Sequence, residues 1–403
     1  MVKDWLLSLW DYIRNTELII LLFVFAELTK IVGFLPHIPD IVIYGIIICY
    51  SLYCLLHTEK YDFLYIILLA YIPLEILIMS PNSMFSPWLR YFLFAILIIT
   101  CTGMCISGKL LLARSRIFVI ICFCCAVIGV GSFFARLMGI NFMRVYYNIS
   151  YLNHAGIFGG LASHSMLLGP AAGVGTIYIA NSAFKQRKWY LWASAALCFT
   201  SVLFSDSRSA FLSTIAGVLV LIMLSAGNFN NFFKYIIALF IASACTMPLW
   251  QSALDGLAAK QKNNISSGSM FHSRADKWGQ RIEEFKSSPI VGYGFASVDP
   301  ANKDQSIGAG GKSIETGSSW LSVLSMTGII GFILIMWIYI KAFLSVYKWT
   351  KDTLLLSVLT LLSVNMCTEG YIFFGGSFLA FLFWITIGVC SDQAYELSED
   401  IEH

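Results

Sequence analysis

Hydrophobic residues occur along this chain in continuous runs of about 20, separated by short polar breaks. A run of this length crosses the apolar core of a bilayer as an α-helix, whereas the strands of a membrane β-barrel would alternate apolar and polar residues. The runs predict about twelve spans, at 18–36, 39–57, 62–80, 88–106, 117–137, 155–180, 189–204, 209–226, 232–250, 318–344, 353–370 and 371–390. The predicted fold is an all-α polytopic membrane protein.

The composition excludes several classes of protein. Of the 403 residues, 58% are hydrophobic and 12% are charged, whereas soluble domains carry about 25% charged residues. This charge is too sparse to solvate a water-facing surface, so a soluble enzyme, a disordered chain and a nucleic-acid binder are excluded. All 11 cysteines fall within predicted spans, which argues against a disulfide framework and against a thiolate metal site.

The distribution of Lys and Arg predicts the orientation. With the N-terminus in the cytoplasm, the inner segments hold twelve of these residues and the short outer loops hold two, Arg144 and Arg208. Both termini are then cytoplasmic. The predicted organisation has a membrane domain over 1–250, a large periplasmic loop over 251–317, three further spans over 318–390 and an acidic cytoplasmic tail over 391–403.

The large loop is predicted to carry a short helix of its own. The run from Ser273 to Lys286 has a helical pattern, with Ser273 as the expected N-cap, and Pro289 follows its end. Four of its side chains recur at helical spacing and share one face: Arg274, Trp278, Arg281 and Phe285. A long loop with its own helix beside a membrane is usually functional.

Arginines of the outer segments are the first candidates for chemistry. Arg208 follows Ser205, Asp206 and Ser207 in a very short outer turn, where the positive-inside rule makes an arginine unusual. It is interpreted either as a snorkelling anchor or as part of a polar pocket. Arg274 and Arg281 fit either a helix lying on the membrane surface or bidentate binding of phosphate.

One carboxylate and the histidines complete the candidates. Glu315 precedes the span at 318–344, and it is interpreted either as an ordinary carboxylate near a helix N-terminus or as a general base or sugar-hydroxyl ligand. His154 and His164 are ten residues apart, which is weak evidence for a metal, and His272 lies in the outer loop beside Arg274. No metal site and no cofactor are predicted.

This arrangement resembles the O-antigen ligase and polysaccharide polymerase superfamily of membrane proteins. The likeness covers about twelve spans, cytoplasmic ends and one large periplasmic loop late in the chain. Three stretches match the family's motifs: Arg208-Ser-Ala-Phe-Leu212, then Arg274 to Trp278 with Pro289-Ile-Val-Gly292-Tyr-Gly294, and finally Ser318 with Gly328-Ile-Ile-Gly331. One departure is that the histidine of the ligases would fall at Gly317.

The resemblance implies a glycosyltransferase of the GT-C type. It would act on undecaprenyl-diphosphate-linked glycans at the periplasmic face of the bacterial inner membrane, without a metal. Arg208 and Arg274 would stabilise the lipid-diphosphate leaving group, and Glu315 would deprotonate the acceptor hydroxyl. The residues expected to contact substrate are Arg281, Trp278, Tyr293, Ser318 and Trp320.

The missing ligase histidine favours a polymerase of oligosaccharide repeat units, for O-antigen, capsule or exopolysaccharide. One alternative is a ligase that transfers the finished glycan to lipid A-core. A second is a secondary transporter, for which Glu27, Lys30 and Glu75 are the clear intramembrane candidates, with Arg90 near the end of a span. The expected partners of a polymerase are the lipid-linked glycan, the lipid bilayer, a flippase and a chain-length regulator, with no nucleic acid.

Overall fold

Helices dominate the computed structural model, which describes residues 16–36, 38–79, 86–143, 158–237, 251, 272–297 and 316–402. The first five helices are α1 (Leu18–Thr29), α2 (Asp40–Leu56), α3 (Phe63–Met79), α4 (Pro87–Cys101) and α5 (Gly108–Leu137). They are followed by α6 (Ser165–Gln186), α7 (Trp189–Phe204), α8 (Arg208–Ala226), α9 (His272–Ser287), α10 (Ser319–Ser345), α11 (Thr353–Asn365) and α12 (Phe378–Glu402). A π-helical turn, Val346–Thr350, continues α10.

Several of these helices have the length and composition of membrane spans. Four described helices are long and apolar enough to cross a bilayer: Gly108–Leu137, Ser165–Gln186, Arg208–Ala226 and Ser319–Thr350. Seven shorter apolar helices accompany them. The chain is therefore a mostly helical, multi-pass membrane protein. The predicted number of spans and the periplasmic placement of 251–317 stay predictions.

The helix bounds differ from the hydrophobic runs where polar residues take part in helices. Helix α5 begins at Gly108 rather than near 117, because Ser107 accepts a hydrogen bond from the backbone of Leu110 and caps it. Helix α6 begins at Ser165 rather than near 155. Helix α12 begins at Phe378 rather than at 371, after a non-helical turn.

The cysteine prediction is wrong at two positions. Cys105 lies in a strand, β2 (Cys105–Ile106), which pairs antiparallel with β1 (Lys60–Tyr61). Cys367 lies beyond the end of α11 and is exposed. Cys245 lies outside the described residues. The ten described cysteines are unpaired thiols.

The interior combines close contacts between small residues with large buried aromatic side chains. A Cβ atom at Gly175 of α6 would lie 2.7 Å from Cα of Ala126 in α5, so only glycine permits this approach of the two helices. In α12, Phe381, Phe383 and Trp384 are all buried. A helix buried on all sides forms the centre of a bundle, and α12 is buried around its whole circumference between Phe378 and Cys390.

A buried ion pair joins α5 to the C-terminal half of α12. Arg114 donates from Nε to Oδ2 of Asp392 at 2.6 Å and from Nη2 to Oδ1 at 2.7 Å. Its Nη1 donates to the carbonyl of Cys105 at 2.9 Å, so the ion pair also contacts the short β1–β2 sheet. Arg114 falls between the predicted spans 88–106 and 117–137, whereas the structure buries it within α5, which corrects the start of the second span.

Candidate functional site

The turn between α7 and α8 places Arg208 at the start of a helix. Ser207 caps α8 by accepting a hydrogen bond from the backbone of Ala210 at 3.3 Å. The turn is tight, because Asp206 has a left-handed backbone with φ of 53°. Arg208 is then the first residue of α8. The amide groups of a helix N-terminus attract anions, so a guanidinium there adds positive charge to an already positive end.

Arg274 and Glu369 meet beside this helix end. Nη2 of Arg274 donates to Oε1 of Glu369 at 2.5 Å, and Oγ of Ser209 donates to the same oxygen at 3.1 Å. The two charged side chains are 18% and 13% exposed. Arg208 is close enough to Arg274 for their positive charges to repel. Three segments distant in sequence therefore form one cluster, which we call the arginine site: Arg208, Ser209, Arg274 and Glu369.

The start of α10 holds the backbone of Glu369 through hydrogen bonds. Ser319 donates to the carbonyl oxygen of Glu369 from its backbone N–H at 3.0 Å and from its hydroxyl at 2.7 Å. The Ser319 hydroxyl also accepts a hydrogen bond from the backbone of Tyr371 at 2.9 Å. The backbone of the turn after α11 is therefore fixed to the N-terminus of α10.

Ser318 and Trp320 have hydrogen-bond partners within the protein. The Ser318 hydroxyl caps α10 through the backbone N–H of Leu321 and also donates to the carbonyl of Met366 at 3.3 Å. Nε1 of Trp320 donates to the carbonyl of Ser363 at 3.1 Å. Both residues thus help to position the turn that carries Glu369. A role for them in substrate binding stays a prediction.

The short helix of the large loop forms as α9 and places its predicted face inward. It begins at His272, one residue before the expected cap, so the N-cap prediction for Ser273 is wrong. The predicted face is confirmed, because its members are buried or half-buried, whereas Ala275, Asp276, Ile282 and Glu283 are exposed. Trp278 donates from Nε1 to the carbonyl of Gly317 at 3.0 Å, which joins α9 to the start of α10.

Gly317 shows why the ligase histidine is absent from this position. Its φ is +73°, a left-handed conformation that glycine adopts without strain. A Cβ atom there would lie 2.9 Å from Cβ of Lys277 in α9. A histidine at 317 would therefore be strained and crowded in this backbone.

Arg281 forms an ion pair with Glu284 of the same helix. Its Nη2 donates to Oε1 of Glu284 at 2.6 Å, and each side chain is about 1% exposed. A buried pair of this kind compensates both charges. The predicted contact of Arg281 with substrate stays a prediction.

The Gly292-Tyr-Gly294 stretch docks onto a break in α10. Gly328 has φ of 62° and ψ of −168°, so the helix is interrupted there. The backbone N–H groups of Tyr293 and Gly294 donate to the carbonyls of Ser325 and Met326, at 2.7 and 3.1 Å. A Cβ atom at Gly292 would lie 2.3 Å from the oxygen of Met326. Two motifs that are distant in sequence thus meet backbone to backbone, and Tyr293 lies at their junction.

Helix α3 holds the same junction through two polar side chains. Both carboxylate oxygens of Glu75 accept the backbone N–H of Phe295, at 2.9 and 3.1 Å. The Tyr71 hydroxyl donates to the carbonyl of Thr327 at 2.8 Å. Glu75 was a candidate for a transport pathway, and its observed partner is instead the backbone of the docked segment. The other two candidates, Glu27 and Lys30, pair with each other at 2.7 Å.

Some predicted residues cannot be placed, and others were missed. Glu315 and His154 lie outside the described residues. His164 caps α6, because its Nδ1 accepts the backbone N–H of Met166 at 3.1 Å, and burial lowers its pKa. Among the residues that the structure describes, no three His, Cys, Asp or Glu side chains form a group able to hold a metal ion. The residue that the sequence analysis missed is Glu369. Its one distinguishing feature in the sequence is that it is the charged residue of the break Thr368-Glu369-Gly370 between two apolar runs.

The structure describes a multi-pass membrane protein in which the helix that begins at Arg208 contacts the Arg274–Glu369 ion pair through Ser209. A comparison with known protein families matches part of the chain to one family model. The family model for O-antigen ligases (Wzy_C) matches residues 193–336, which include Arg208, Arg274, Gly292 and Gly328. No curated protein matches the chain. The resemblance to the O-antigen ligase and polymerase superfamily is confirmed, and its members are membrane enzymes of glycosyltransferase type.

Proposed function

We propose that the protein polymerises undecaprenyl-diphosphate-linked oligosaccharide repeat units at the periplasmic face of the bacterial inner membrane. The observation that carries this proposal is the arginine site, where Arg274 and the Ser209 hydroxyl bind a carboxylate oxygen of Glu369 at the N-terminus of the helix that Arg208 begins. A lipid diphosphate offers the same kind of oxygen with more charge. Arginine binds such groups in bidentate fashion, which fixes their orientation.

The proposed reaction is a displacement at the anomeric carbon of the donor sugar. The acceptor hydroxyl oxygen forms the new glycosidic bond, the bond from that carbon to the diphosphate oxygen breaks, and the lipid diphosphate leaves with the electron pair. Arg208 and Arg274 stabilise the negative charge that grows on this leaving group, so the transfer proceeds without a metal. Glu315 takes the proton of the acceptor hydroxyl.

The remaining predicted contacts have supporting roles in this proposal. Trp278, Tyr293 and Trp320 would present aromatic surfaces to sugar or lipid, while Ser318 and Arg281 would help to hold the substrate. The apolar spans would hold the polyprenyl chain beside the site. Residues 251–317 would lie in the periplasm, and a flippase and a chain-length regulator would act in the same process.

The proposal is tested by replacing the two arginines. We expect Arg208→Ala and Arg274→Ala each to lower polymer synthesis by about 10²–10³-fold, the loss that follows removal of one oxyanion donor. Arg→Lys should also be poor, because lysine cannot bind two oxygens in one plane. The assay is incorporation of labelled lipid-linked repeat units into polymer by purified protein in bilayers, with and without EDTA.

Lys286→Ala is the matched control, because Lys286 lies on α9 with Arg274 but is 63% exposed and pairs with a surface carboxylate. It should keep normal synthesis. Full activity of both Arg→Lys variants would show that the arginines anchor helix ends rather than bind diphosphate. Loss of synthesis in EDTA would contradict the metal-independent step.

A ligase is the second candidate, because the matching family model describes O-antigen ligases. The left-handed backbone at Gly317, where a side chain would also be crowded, argues against the ligase base. Deletion of the gene separates the two functions. Loss of a polymerase leaves single repeat units on the lipid carrier, whereas loss of a ligase leaves finished polymer on that carrier.

A further inference from the structure

A carboxylate already occupies the position where the proposed function requires a phosphate oxygen. Oε1 of Glu369 accepts from Nη2 of Arg274 at 2.5 Å and from the hydroxyl of Ser209 at 3.1 Å. Ser209 is the second residue of α8, so this oxygen lies at the positive end of the helix. Guanidinium, hydroxyl and helix terminus are also the donors that phosphate oxygens take.

The carboxylate can leave this position without rearrangement of the backbone. The carbonyl oxygen of Glu369 is held by both the backbone N–H and the hydroxyl of Ser319. The side chain is 13% exposed, so it borders on an accessible space. Rotation about its side-chain bonds is therefore enough to uncover Arg274.

A pair of arginines without a counter-ion would bind phospholipid headgroups in a bilayer. Anionic phospholipids present phosphate diesters with one negative charge at the membrane surface, and they are far more abundant than any biosynthetic intermediate. Arg208 and Arg274 would bind these headgroups with the same forks that bind a diphosphate. Such a site stays available to a diphosphate only if another group of the protein competes with these headgroups for the arginines.

Building on the proposed function, we propose that Glu369 is an exchangeable counter-ion that excludes single-phosphate headgroups and yields to a lipid diphosphate. Any incoming anion has to break the Arg274–Glu369 pair, and this lowers its apparent affinity by about 10–100-fold. The phosphate diester of a phospholipid, with its single charge, then binds too weakly to occupy the arginine site. A diphosphate engages both arginines through its two phosphoryl groups and binds despite the same cost.

The test compares Glu369→Gln with the wild-type protein in two kinds of nanodisc. Glutamine keeps the size and hydrogen bonds of the side chain but removes its charge. The probe is farnesyl diphosphate, titrated by calorimetry into protein in phosphatidylcholine nanodiscs and in nanodiscs that also contain phosphatidylglycerol. The quantity compared is the ratio of the two Kd values, because the surface potential of the lipid affects both proteins equally.

In phosphatidylcholine, we expect Glu369→Gln to bind farnesyl diphosphate about 10–100-fold more tightly than the wild type, because no carboxylate has to be displaced. Phosphatidylglycerol should weaken binding to the variant much more than to the wild type, because it now competes for arginines whose charge no carboxylate compensates. Glu283→Gln removes an exposed carboxylate from α9 and should behave as the wild type does.

Two results would overturn the inference. The first is binding to Glu369→Gln that is no tighter than wild type in phosphatidylcholine, which would make Glu369 a structural support of Arg274. The second is an equal effect of phosphatidylglycerol on both proteins. If Glu369→Gln does not fold, Glu369→Asp takes its place, and its shorter side chain should also give tighter binding than wild type. Failure of the proposed function is distinct, because Arg208→Ala and Arg274→Ala would then leave binding of farnesyl diphosphate unchanged.

Discussion

Arg208 occupies a position that is unfavourable for a cation unless an anion is close. It is the first residue of α8, next to the positive end of the helix dipole, and a second guanidinium, that of Arg274, lies nearby. Helix termini favour the opposite charge by about 0.3–1 kcal/mol. The carboxylate of Glu369, which accepts from Arg274 and from Ser209, supplies a negative charge at the start of this helix.

At the residue scale, Gly317 gives a direct test of the observed turn. We expect Gly317→Ala to lower the free energy of unfolding by about 1–3 kcal/mol, because its φ of +73° is strained for alanine. The new Cβ would also crowd Lys277. The measurement is the thermal unfolding of purified protein in detergent.

The control for this prediction is Gly45→Ala. Gly45 lies inside α2, and a Cβ there would have no atom within 4 Å. Alanine should therefore leave stability unchanged or raise it by about 0.5–1 kcal/mol. Equal stability of the two variants would show that residue 317 does not hold the described conformation.

The sequence predicted the two arginines but not their counter-ion. Arg208 was visible as an arginine in a very short outer turn where the positive-inside rule does not expect one, and Arg274 as one of two arginines on one face of the predicted loop helix. Glu369 is 95 residues beyond Arg274, and one charged residue in a break between apolar runs has no periodicity that would reveal a partner. Only the fold brings the two together, through the turn anchored at Ser319.

At the scale of elements, the predicted bounds of a span are correct where the hydrophobic run and the helix begin and end at the same residues. The span predicted at 189–204 is observed as Trp189–Phe204. It failed where the chain leaves helical geometry within an apolar stretch, because hydropathy does not report backbone conformation. The break of α10 at Gly328 is the main case, since it lies inside a single predicted span.

This break gives a prediction for the docked segment. Alanine at 328 would have a φ near +62° and a Cβ only 2.3 Å from the oxygen of Ile290. We expect Gly328→Ala to cost at least about 1–3 kcal/mol and to release the segment around Gly292. Cleavage by trypsin after Lys286 should then be faster than in the wild type.

Gly279→Ala is the matched control for the break, because Gly279 is an exposed glycine of α9 with no atom within 4 Å of a new Cβ. It should show wild-type cleavage and equal or higher stability. Unchanged proteolysis of Gly328→Ala would contradict the contact between the two motifs.

At the scale of the whole molecule, the proposed reaction requires the arginine site to face the periplasm. The support for this is the distribution of Lys and Arg in the sequence, which puts twelve in the predicted inner segments, Arg114 of α5 among them, and two in the predicted short outer loops. If this orientation holds, residues 251–317 and the turn that carries Glu369 lie on the same side of the membrane. The lipid-linked donor and the acceptor would then meet on that side of the membrane, and the reaction would need no nucleotide.

Thiol labelling checks this orientation directly. Ser267→Cys lies in the large loop, and Gln186→Cys lies at the exposed end of α6, on the predicted cytoplasmic side. The parent protein should first lose Cys49 and Cys367, the exposed thiols among the described cysteines, by replacement with serine. In intact spheroplasts, a membrane-impermeant maleimide should label the cysteine at 267 at once. The cysteine at 186 should react only after lysis, because the bilayer then no longer blocks the reagent. The reverse pattern would place the arginine site in the cytoplasm and contradict transfer from a periplasmic lipid-linked donor.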